Sequence, residues 1–249
     1  MNRPPYRAKP SQGFTLTELA VVLVITGLVL GGLLVPLSAQ MDMRATAETR
    51  RALSEIREAL LGFAAVNGRL PCPAVASTAS GVDGAGVEAT HDVAGNCPTE
   101  SGVLPWVTLG VSETDAWGQR YSYRVTPEFS RKTLPPQNAA FDLTTPGKLD
   151  VWSAAAGATN RAMIASNLPA VIVSHGANGQ GGFTRQGTPV PSGEVADEVD
   201  NQLTNNGTAM ANMNFVSRER TAGSGFDDEV AWIPPPVLIS RMITVGKIP

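Results

Sequence analysis

The chain places a serine next to a histidine, Ser174-His175, a pair of residue types that hydrolases use for nucleophilic attack. A nucleophile elbow needs the pattern Gly-x-Ser-x-Gly, but Ile172 occupies the first glycine position. Neighbouring residues of a strand also point to opposite faces, so the two side chains could not share a proton. Neither a phosphate-binding glycine loop nor a metalloprotease motif is present. We therefore expect no enzymatic activity.

A different kind of chemistry is indicated where a basic leader meets an apolar run. Residues 1–13 contain three basic residues and no acid, a composition that is retained on the cytoplasmic side of membranes. Leu19–Leu37 has no charged residue and approaches the about 20 residues that a helix needs to cross a bilayer. Glu18 lies at the entry to this run, where a carboxylate is either functional or a first-turn acid favoured by the helix dipole. The pattern predicts a single-pass membrane helix with the later residues outside the cytoplasm.

The two cysteines, Cys72 and Cys97, flank a segment rich in Gly, Ala and Ser. Outside the cytoplasm disulfides persist, and a bridge closing a loop of this size could stabilise the fold by about 3 kcal/mol. The alternative is a metal site that also uses His91 and His175, but the spacings match no zinc pattern. We predict a disulfide.

The residues around the junction carry a family resemblance. Gly13, Phe14 and Glu18, within Gly-Phe-Thr-Leu-Thr-Glu-Leu, resemble the leader of type IV pilins and type II secretion pseudopilins. The resemblance implies that a prepilin peptidase cleaves after Gly13 and methylates Phe14. It also implies that Glu18 meets the amino terminus of a neighbouring subunit during assembly.

A second resemblance lies in Asp115-Ala116-Trp117-Gly118, followed by a strand in which Tyr121, Tyr123 and Val125 alternate with polar residues. Major pseudopilins have an Asp-Pro-Trp-Gly turn before a Tyr-x-Tyr strand. We expect a structural role, because Asp115 can accept backbone N–H bonds in an Asx turn.

The same family suggests a calcium site. In major pseudopilins a Ser-x-Gly-Ala-Asp-Gly loop binds calcium and precedes an acidic pair and a tryptophan. Here the matching ligands would be Ser174, Asn178, Asp227 and Asp228, with Asp197 and Asp200 as possible additional donors. Calcium takes about six to eight oxygen ligands. The alternative is a solvated acidic turn, and Asn178 and the insert 183–225 depart from the family spacing.

The elements that must position these residues begin with a long helix. Leu53, Ile56, Leu60 and Phe63 recur at helical spacing and form one apolar stripe. We predict an α+β fold in which a long N-terminal helix, its first half in the membrane, packs on a small antiparallel sheet with long loops. The predicted parts are a leader at 1–13, a transmembrane and assembly helix at 14–40, its amphipathic outer half at 41–67, and a globular domain at 68–249.

We expect a structural subunit of a type IV pilus or type II secretion filament, held in the bacterial inner membrane with its globular domain in the periplasm before assembly. The expected partners are prepilin peptidase, other pilin or pseudopilin subunits, an inner-membrane assembly platform and membrane lipid. The net charge of −3 and the lack of a basic cluster argue against nucleic acid. The alternatives are a membrane-anchored periplasmic enzyme or ligand-binding domain and, more narrowly, a pilus-tip adhesin. The polar segments 127–169 and 183–225 favour a minor or specialised subunit.

Overall fold

The computed structural model describes residues 13–133, 138–205, 208–209, 213–221 and 224–248. Side chains at positions 30, 32–39, 204–205 and 208–209 are not part of this description. The predicted leader, apart from Gly13, lies outside the described residues. The chain forms two compact units, Met1–Arg44 and Ala45–Pro249.

Short helices and strands follow one long helix. The helices are α1 (Leu16–Asn67), α2 (Trp106–Leu109), α3 (Pro127–Ser130), α4 (Ala196–Val199) and α5 (Pro235–Thr244). The strands are β1 (Ser101–Val103), β2 (Gln119–Arg120), β3 (Ser122–Val125), β4 (Leu149–Trp152), β5 (Met163–Leu168), β6 (Ala170–Ser174), β7 (Phe183–Thr184), β8 (Thr204–Asn205), β9 (Thr208–Ala209), β10 (Asn214–Val216) and β11 (Glu229–Trp232).

The predicted long helix is confirmed as α1, which is continuous over 52 residues. It ends at Asn67, and the following Gly68 adopts φ 74° and donates its N–H to the carbonyl of Ala64 at 2.8 Å. A positive φ is accessible to glycine without a Cβ penalty, which explains why the helix ends there.

The main sheet has the strand order β1-β3-β6-β11, and each of its neighbouring pairs is antiparallel. The helix stripe packs on one face of it, with Leu53, Ile56 and Leu60 buried as predicted. Phe63 is only half-buried, and Leu61 and Ala64 are buried in addition to the predicted stripe. The sheet contributes Tyr123, Val125, Ala170 and Ile172 to this core, and Tyr121, just before β3, packs with them.

A second sheet, in the order β10-β4-β5, covers the other face of β6. Its side of the core includes Leu149, Val151, Leu168 and Phe215 together with Val171 and Val173 of β6. The strand β6 therefore alternates between two cores, which explains its unbroken run of apolar residues. Both polar segments contribute to this sheet: β4 and β5 come from 127–169, and β10 comes from 183–225.

One strand pair departs from the predicted antiparallel fold. The strands β10 and β4 run parallel, with Asn214 opposite Asp150 and Val216 opposite Trp152. Parallel neighbours need a long crossover connection, and the chain between β4 and β10 supplies it. Sequence alternation cannot show strand direction, so this pairing was not predictable from the pattern.

Candidate functional site

The predicted cleavage position lies in an exposed segment before α1. Gly13 and Phe14 precede the first helical residue, Leu16, and Phe14 is 85% exposed. A Cβ placed on Gly13 would meet no other atom within 4 Å. The Gly13-Phe14 peptide bond is therefore accessible in this unit and is free of regular secondary structure.

Glu18 and Thr15 form a reciprocal cap at the start of α1. The Thr15 amide and the Thr15 hydroxyl both donate to Oε2 of Glu18, at 2.9 and 2.8 Å, and the Glu18 amide donates to Oγ1 of Thr15 at 3.3 Å. This is a capping box, which satisfies backbone N–H groups that a helix start leaves unpaired. Both residues follow the predicted cleavage position, so the cap would survive processing.

The beginning of α1 exposes large apolar side chains on all sides. More than half of the surface is exposed at Phe14, Leu16, Leu19, Val21, Val22, Leu23, Val24, Ile25, Leu28 and Val29. Exposed apolar patches of this extent mark sites of association with protein or lipid.

The predicted span Leu19–Leu37 is helical throughout, and its side chains at 30 and 32–37 lie outside the described set. Over the described part of the chain, no helix is long and apolar enough to cross a membrane.

A second candidate site gathers three carboxylates in the globular unit. Oxygen atoms of Glu198, Asp227 and Asp228 lie within 4.8 Å of one another, and all three residues are buried. The Ala177 and Asn178 amides donate to Oδ2 of Asp227 at 2.9 and 3.0 Å. Asn178 also donates from its side chain to Oε1 of Glu198 at 2.9 Å. The structure thus brings together the predicted Asn178, Asp227 and Asp228.

The sequence analysis missed Glu198, which α4 carries into the cluster from the polar segment 183–225. Its neighbours Asp197 and Asp200, named as possible donors, form other contacts: Asp197 accepts from Arg218 at 2.6 Å, and Asp200 accepts from the Ala156 amide at 3.3 Å. No sequence signal separates Glu198 from these flanking acids. Which of these acids joins the cluster depends on which side of the single-turn helix α4 faces Asp227.

The cluster has buried oxygen atoms without donors. Among the described residues, Oε2 of Glu198, Oδ1 of Asp227 and Oδ1 of Asp228 form no hydrogen bond. Burial raises the pKa of Glu198, and burial together with the neighbouring carboxylates raises the pKa of Asp228 well above its ordinary value. Buried polar groups are normally paired because an unpaired one costs about 1–3 kcal/mol. Carboxyl groups this close together are stabilised by a shared proton or by a bound cation.

Ser174, the remaining predicted calcium ligand, uses its hydroxyl elsewhere. It donates to Oδ2 of Asp115 at 2.7 Å. The other oxygen of Asp115, Oδ1, accepts from the amides of Trp117 and Gln119 at 3.0 and 2.9 Å, which confirms the predicted Asx turn. Burial raises the pKa of Asp115. The serine hydroxyl thus anchors this turn to β6.

His175 forms a hydrogen bond with a different serine. Its Nε2 lies 2.8 Å from Oγ of Ser122, and both residues are buried within the protein. Burial lowers the pKa of His175 to about 4, so the ring is neutral at pH 7. Ser174 and His175 thus engage separate partners, consistent with opposite orientation along a strand.

The predicted disulfide between Cys72 and Cys97 is present, with a Cα–Cα distance of 5.5 Å. His91 lies beside it rather than completing a metal site with His175. Its Nε2 is 3.2 Å from Sγ of Cys72 and 3.0 Å from the carbonyl oxygen of Ser130.

Comparison with known proteins bears on the N-terminal site. Residues 8–34 match the family model described as the prokaryotic N-terminal methylation motif, which is the signature of type IV pilins and pseudopilins. This match contains Gly13, Phe14 and Glu18. Searches against curated proteins and against solved structures gave no match.

Proposed function

We propose that this chain is a filament subunit of the pilin or pseudopilin kind, cleaved by prepilin peptidase after Gly13 and methylated on Phe14. The observation that carries the proposal is the methylation motif at 8–34, placed on an exposed cleavage segment before a helix. Subunits wait in the inner membrane and an assembly platform then draws them into a filament. The chain itself catalyses no reaction.

The exposed apolar side chains of Phe14–Val29 support this function. In water they would be costly, at about 25 cal/mol per Å² of apolar surface. Lipid before assembly and neighbouring subunits after it would remove this surface from water. The interactions between subunits are head-to-tail, which generates an open helical filament rather than a closed ring.

The cap geometry suggests how Glu18 serves both its own helix and a neighbour. The hydrogen bonds from Thr15 reach Oε2 of Glu18, and within the described residues Oε1 has no such bond. In the filament, Oε1 would accept the charged amino terminus of an adjacent subunit. A carboxylate in an apolar environment needs such a partner, since an unpaired buried charge is strongly unfavourable.

Mass spectrometry of the protein from a host with prepilin peptidase tests processing. The expected product begins at N-methylated Phe14. An intact chain beginning at Met1 contradicts the proposal and favours the alternative of an anchored enzyme or binding domain.

Variants at the cap separate assembly from helix stability. Glu18→Gln keeps an oxygen acceptor but removes the charge, whereas Thr15→Val removes the hydroxyl and keeps the charge. We expect both variants to be cleaved, and only Glu18→Gln to be absent from sheared filaments. Normal incorporation of Glu18→Gln would show that Glu18 acts only as a cap.

We also propose that the cluster of Glu198, Asp227 and Asp228 binds calcium. The supporting observation is the set of three buried carboxylates with unpartnered oxygens. The three carboxylates lie close enough for their oxygens to contact one ion, and carboxylate oxygens are ligands that calcium takes in proteins. The amide oxygen of Asn178 is a further nearby donor, although its Oδ1 also accepts from the Gln180 amide at 2.8 Å.

Thermal unfolding with calcium or with a chelator tests this site. At about 100 times the dissociation constant a ligand stabilises by about 2.7 kcal/mol, which corresponds to a rise of about 5–10 °C for a chain of this size. The double variant Glu198→Gln, Asp228→Asn should lose the calcium effect. Asp83→Asn, which changes an exposed acid on another loop, should retain it. A wild-type protein with no calcium-dependent shift contradicts the proposal.

A further inference from the structure

The disulfide lies in a cluster of groups that do more than close a loop. Nε2 of His91 is 3.2 Å from Sγ of Cys72 and 3.9 Å from Sγ of Cys97. The carbonyl oxygen of Ser130 is 3.0 Å from the same nitrogen and accepts its proton if Nε2 carries one. With that tautomer, the Nε2–H group points toward an oxygen acceptor and the bridge sulfur of Cys72 together.

The two sulfur atoms of the bridge are in different environments. Cys72 is completely buried, whereas Cys97 is half-buried. His91 also lines a cavity of about 460 Å³, together with Arg69, Lys132, Glu88 and Asp92, among other residues. Because Cys97 is the more accessible sulfur, a thiolate from solution would approach it, while Cys72 remains next to the imidazole.

Each end of the bridge is also held by bonds that do not depend on it. The Cys72 amide donates to Oε2 of Glu88 at 3.2 Å, and Arg69 binds both oxygens of Glu88 at 2.9 Å. On the other side, the Lys132 amide donates to the carbonyl of Gly95 at 2.8 Å.

The contact at Gly95 is close, since a Cβ on this residue would lie 2.2 Å from the carbonyl oxygen of Lys132. These anchors would keep the two cysteines adjacent after the bridge opens. Reduction and reoxidation can then occur within the folded state.

We propose that Cys72–Cys97 is an exchangeable disulfide that reacts with dithiols, with Cys97 as the attacked sulfur, Cys72 as the leaving sulfur and His91 as the group that stabilises the leaving thiolate. This role is independent of filament assembly and of calcium. The substrate class is a dithiol, either a small molecule or the active site of a dithiol oxidoreductase.

The reaction balances as a two-electron exchange. A thiolate of the dithiol attacks Sγ of Cys97, the Cys72–Cys97 bond breaks, and Cys72 leaves as a thiolate that accepts a hydrogen bond from the Nε2–H group of His91. The second thiol of the dithiol then attacks the dithiol's own sulfur in the mixed disulfide, and its proton passes to the departing Cys97. Cys97 is released as a thiol, the bridge has gained two electrons, and the dithiol has become a disulfide.

The test follows the reduction of the Cys72–Cys97 disulfide in the full-length chain by dithiothreitol without denaturant. Free thiols are alkylated at each time point, and the mass of the chain then gives the fraction that is reduced. We expect the rate to rise in proportion to the dithiothreitol concentration. In a parallel reaction with a monothiol, peptide mapping should find the adduct on Cys97. A better-stabilised leaving thiolate departs faster, so His91→Ala should slow the reduction about tenfold.

Two further variants keep the result interpretable. His91→Gln retains a side chain that can donate to the carbonyl oxygen of Ser130, and its disulfide should also be reduced slowly. Thr90→Ala changes another residue of the cavity, and its disulfide should be reduced at the wild-type rate. Circular dichroism confirms that each variant is folded. A reduction rate that is independent of thiol concentration, an adduct on Cys72, or an unchanged rate in both folded His91 variants overturns the proposal.

Discussion

The beginning of α1 and the globular unit use similar residues for opposite purposes. Leu23, in the first unit, is 64% exposed, whereas Leu60, on the same helix but within the second unit, is fully buried. Glu18 is exposed and capped locally, whereas Glu198 is buried in a cluster of acids. Residue type alone therefore does not separate residues that are buried in the fold from those that are exposed. Their surroundings do.

Removal of one polar side chain from each region tests whether the two regions differ in their contribution to the free energy of unfolding. Arg120 is fully buried and forms an ion pair with Glu113. Its guanidinium group lies over the ring of Trp106. It also donates hydrogen bonds to three backbone carbonyls, those of Ala76, Thr78 and Arg185. Arg120→Ala should destabilise the protein by about 3–5 kcal/mol, because it leaves buried partners unpaired.

Thr15→Ala in the exposed cap should leave unfolding of the globular unit unchanged, since its cost of about 1 kcal/mol is confined to the helix start. Urea unfolding followed by tryptophan fluorescence measures both variants. Equal effects would remove the distinction between the two regions.

Identical substitutions on α1 provide a matched pair. Leu60→Ala creates a cavity beneath the main sheet and should cost about 2–5 kcal/mol. Leu23→Ala should change the unfolding free energy of the globular unit by less than about 0.5 kcal/mol, as exposed substitutions usually do. Chemical denaturation checks the first effect, and the amount of sheared filament checks whether Leu23→Ala acts on assembly instead. A large loss of monomer stability in Leu23→Ala would contradict the assignment of this segment to association.

The buried His175 makes the stability of the globular unit depend on pH. Burial lowers the pKa of His175 to about 4, while an unfolded histidine titrates near 6.5. Above pH 6.5 neither state is protonated, so His175 contributes no pH dependence there. As the pH falls from 6.5 toward 4, only the unfolded state gains the proton, and stability falls by about 1.4 kcal/mol per pH unit.

Denaturation of wild type and His175→Gln at several pH values isolates this contribution. The stability difference between them should shrink by about 2–3 kcal/mol between pH 6.5 and pH 4.5. A constant difference would mean that His175 is already protonated in the folded protein or is accessible to solvent.

The smallest expected effect concerns the acidic cluster without calcium. The folded-state pKa values of Glu198 and Asp228 are raised, so their favourable contribution is present below the unfolded pKa and is lost as the pH rises through the folded pKa. With chelator at pH 7, Asp228→Asn should therefore raise the melting temperature by about 2–4 °C, equivalent to about 1 kcal/mol. Asp83→Asn is the exposed control. A lower melting temperature in Asp228→Asn would show that its carboxylate is well paired.

Features that depend on nearby residues could be predicted from the sequence. The long helix and its end at Gly68, the turn at Asp115, and the stripe of Leu53, Ile56 and Leu60 follow from helical spacing, Asx bonding and the freedom of glycine. The Cys72–Cys97 bridge followed from the presence of only two cysteines.

Features that depend on distant chain segments were not predictable. Glu198 reaches Asp227 from a single-turn helix within a polar segment whose pattern showed no element. The parallel pairing of β10 with β4 depends on a connection whose path no local pattern describes. The same holds for the contact of His91 with the bridge.

The methylation motif and the position of Glu18 directly before a charge-free run could be read from the sequence, because both depend on residue type and short spacing. The disulfide could be identified because the chain has only two cysteines. Only the tertiary structure decided that β6 is buried on two faces, that Glu198 completes an acidic cluster and that Ser174 serves Asp115 instead. Burial and hydrogen-bond partners are properties of residues brought together from far apart in the chain, and a linear pattern carries no record of that proximity.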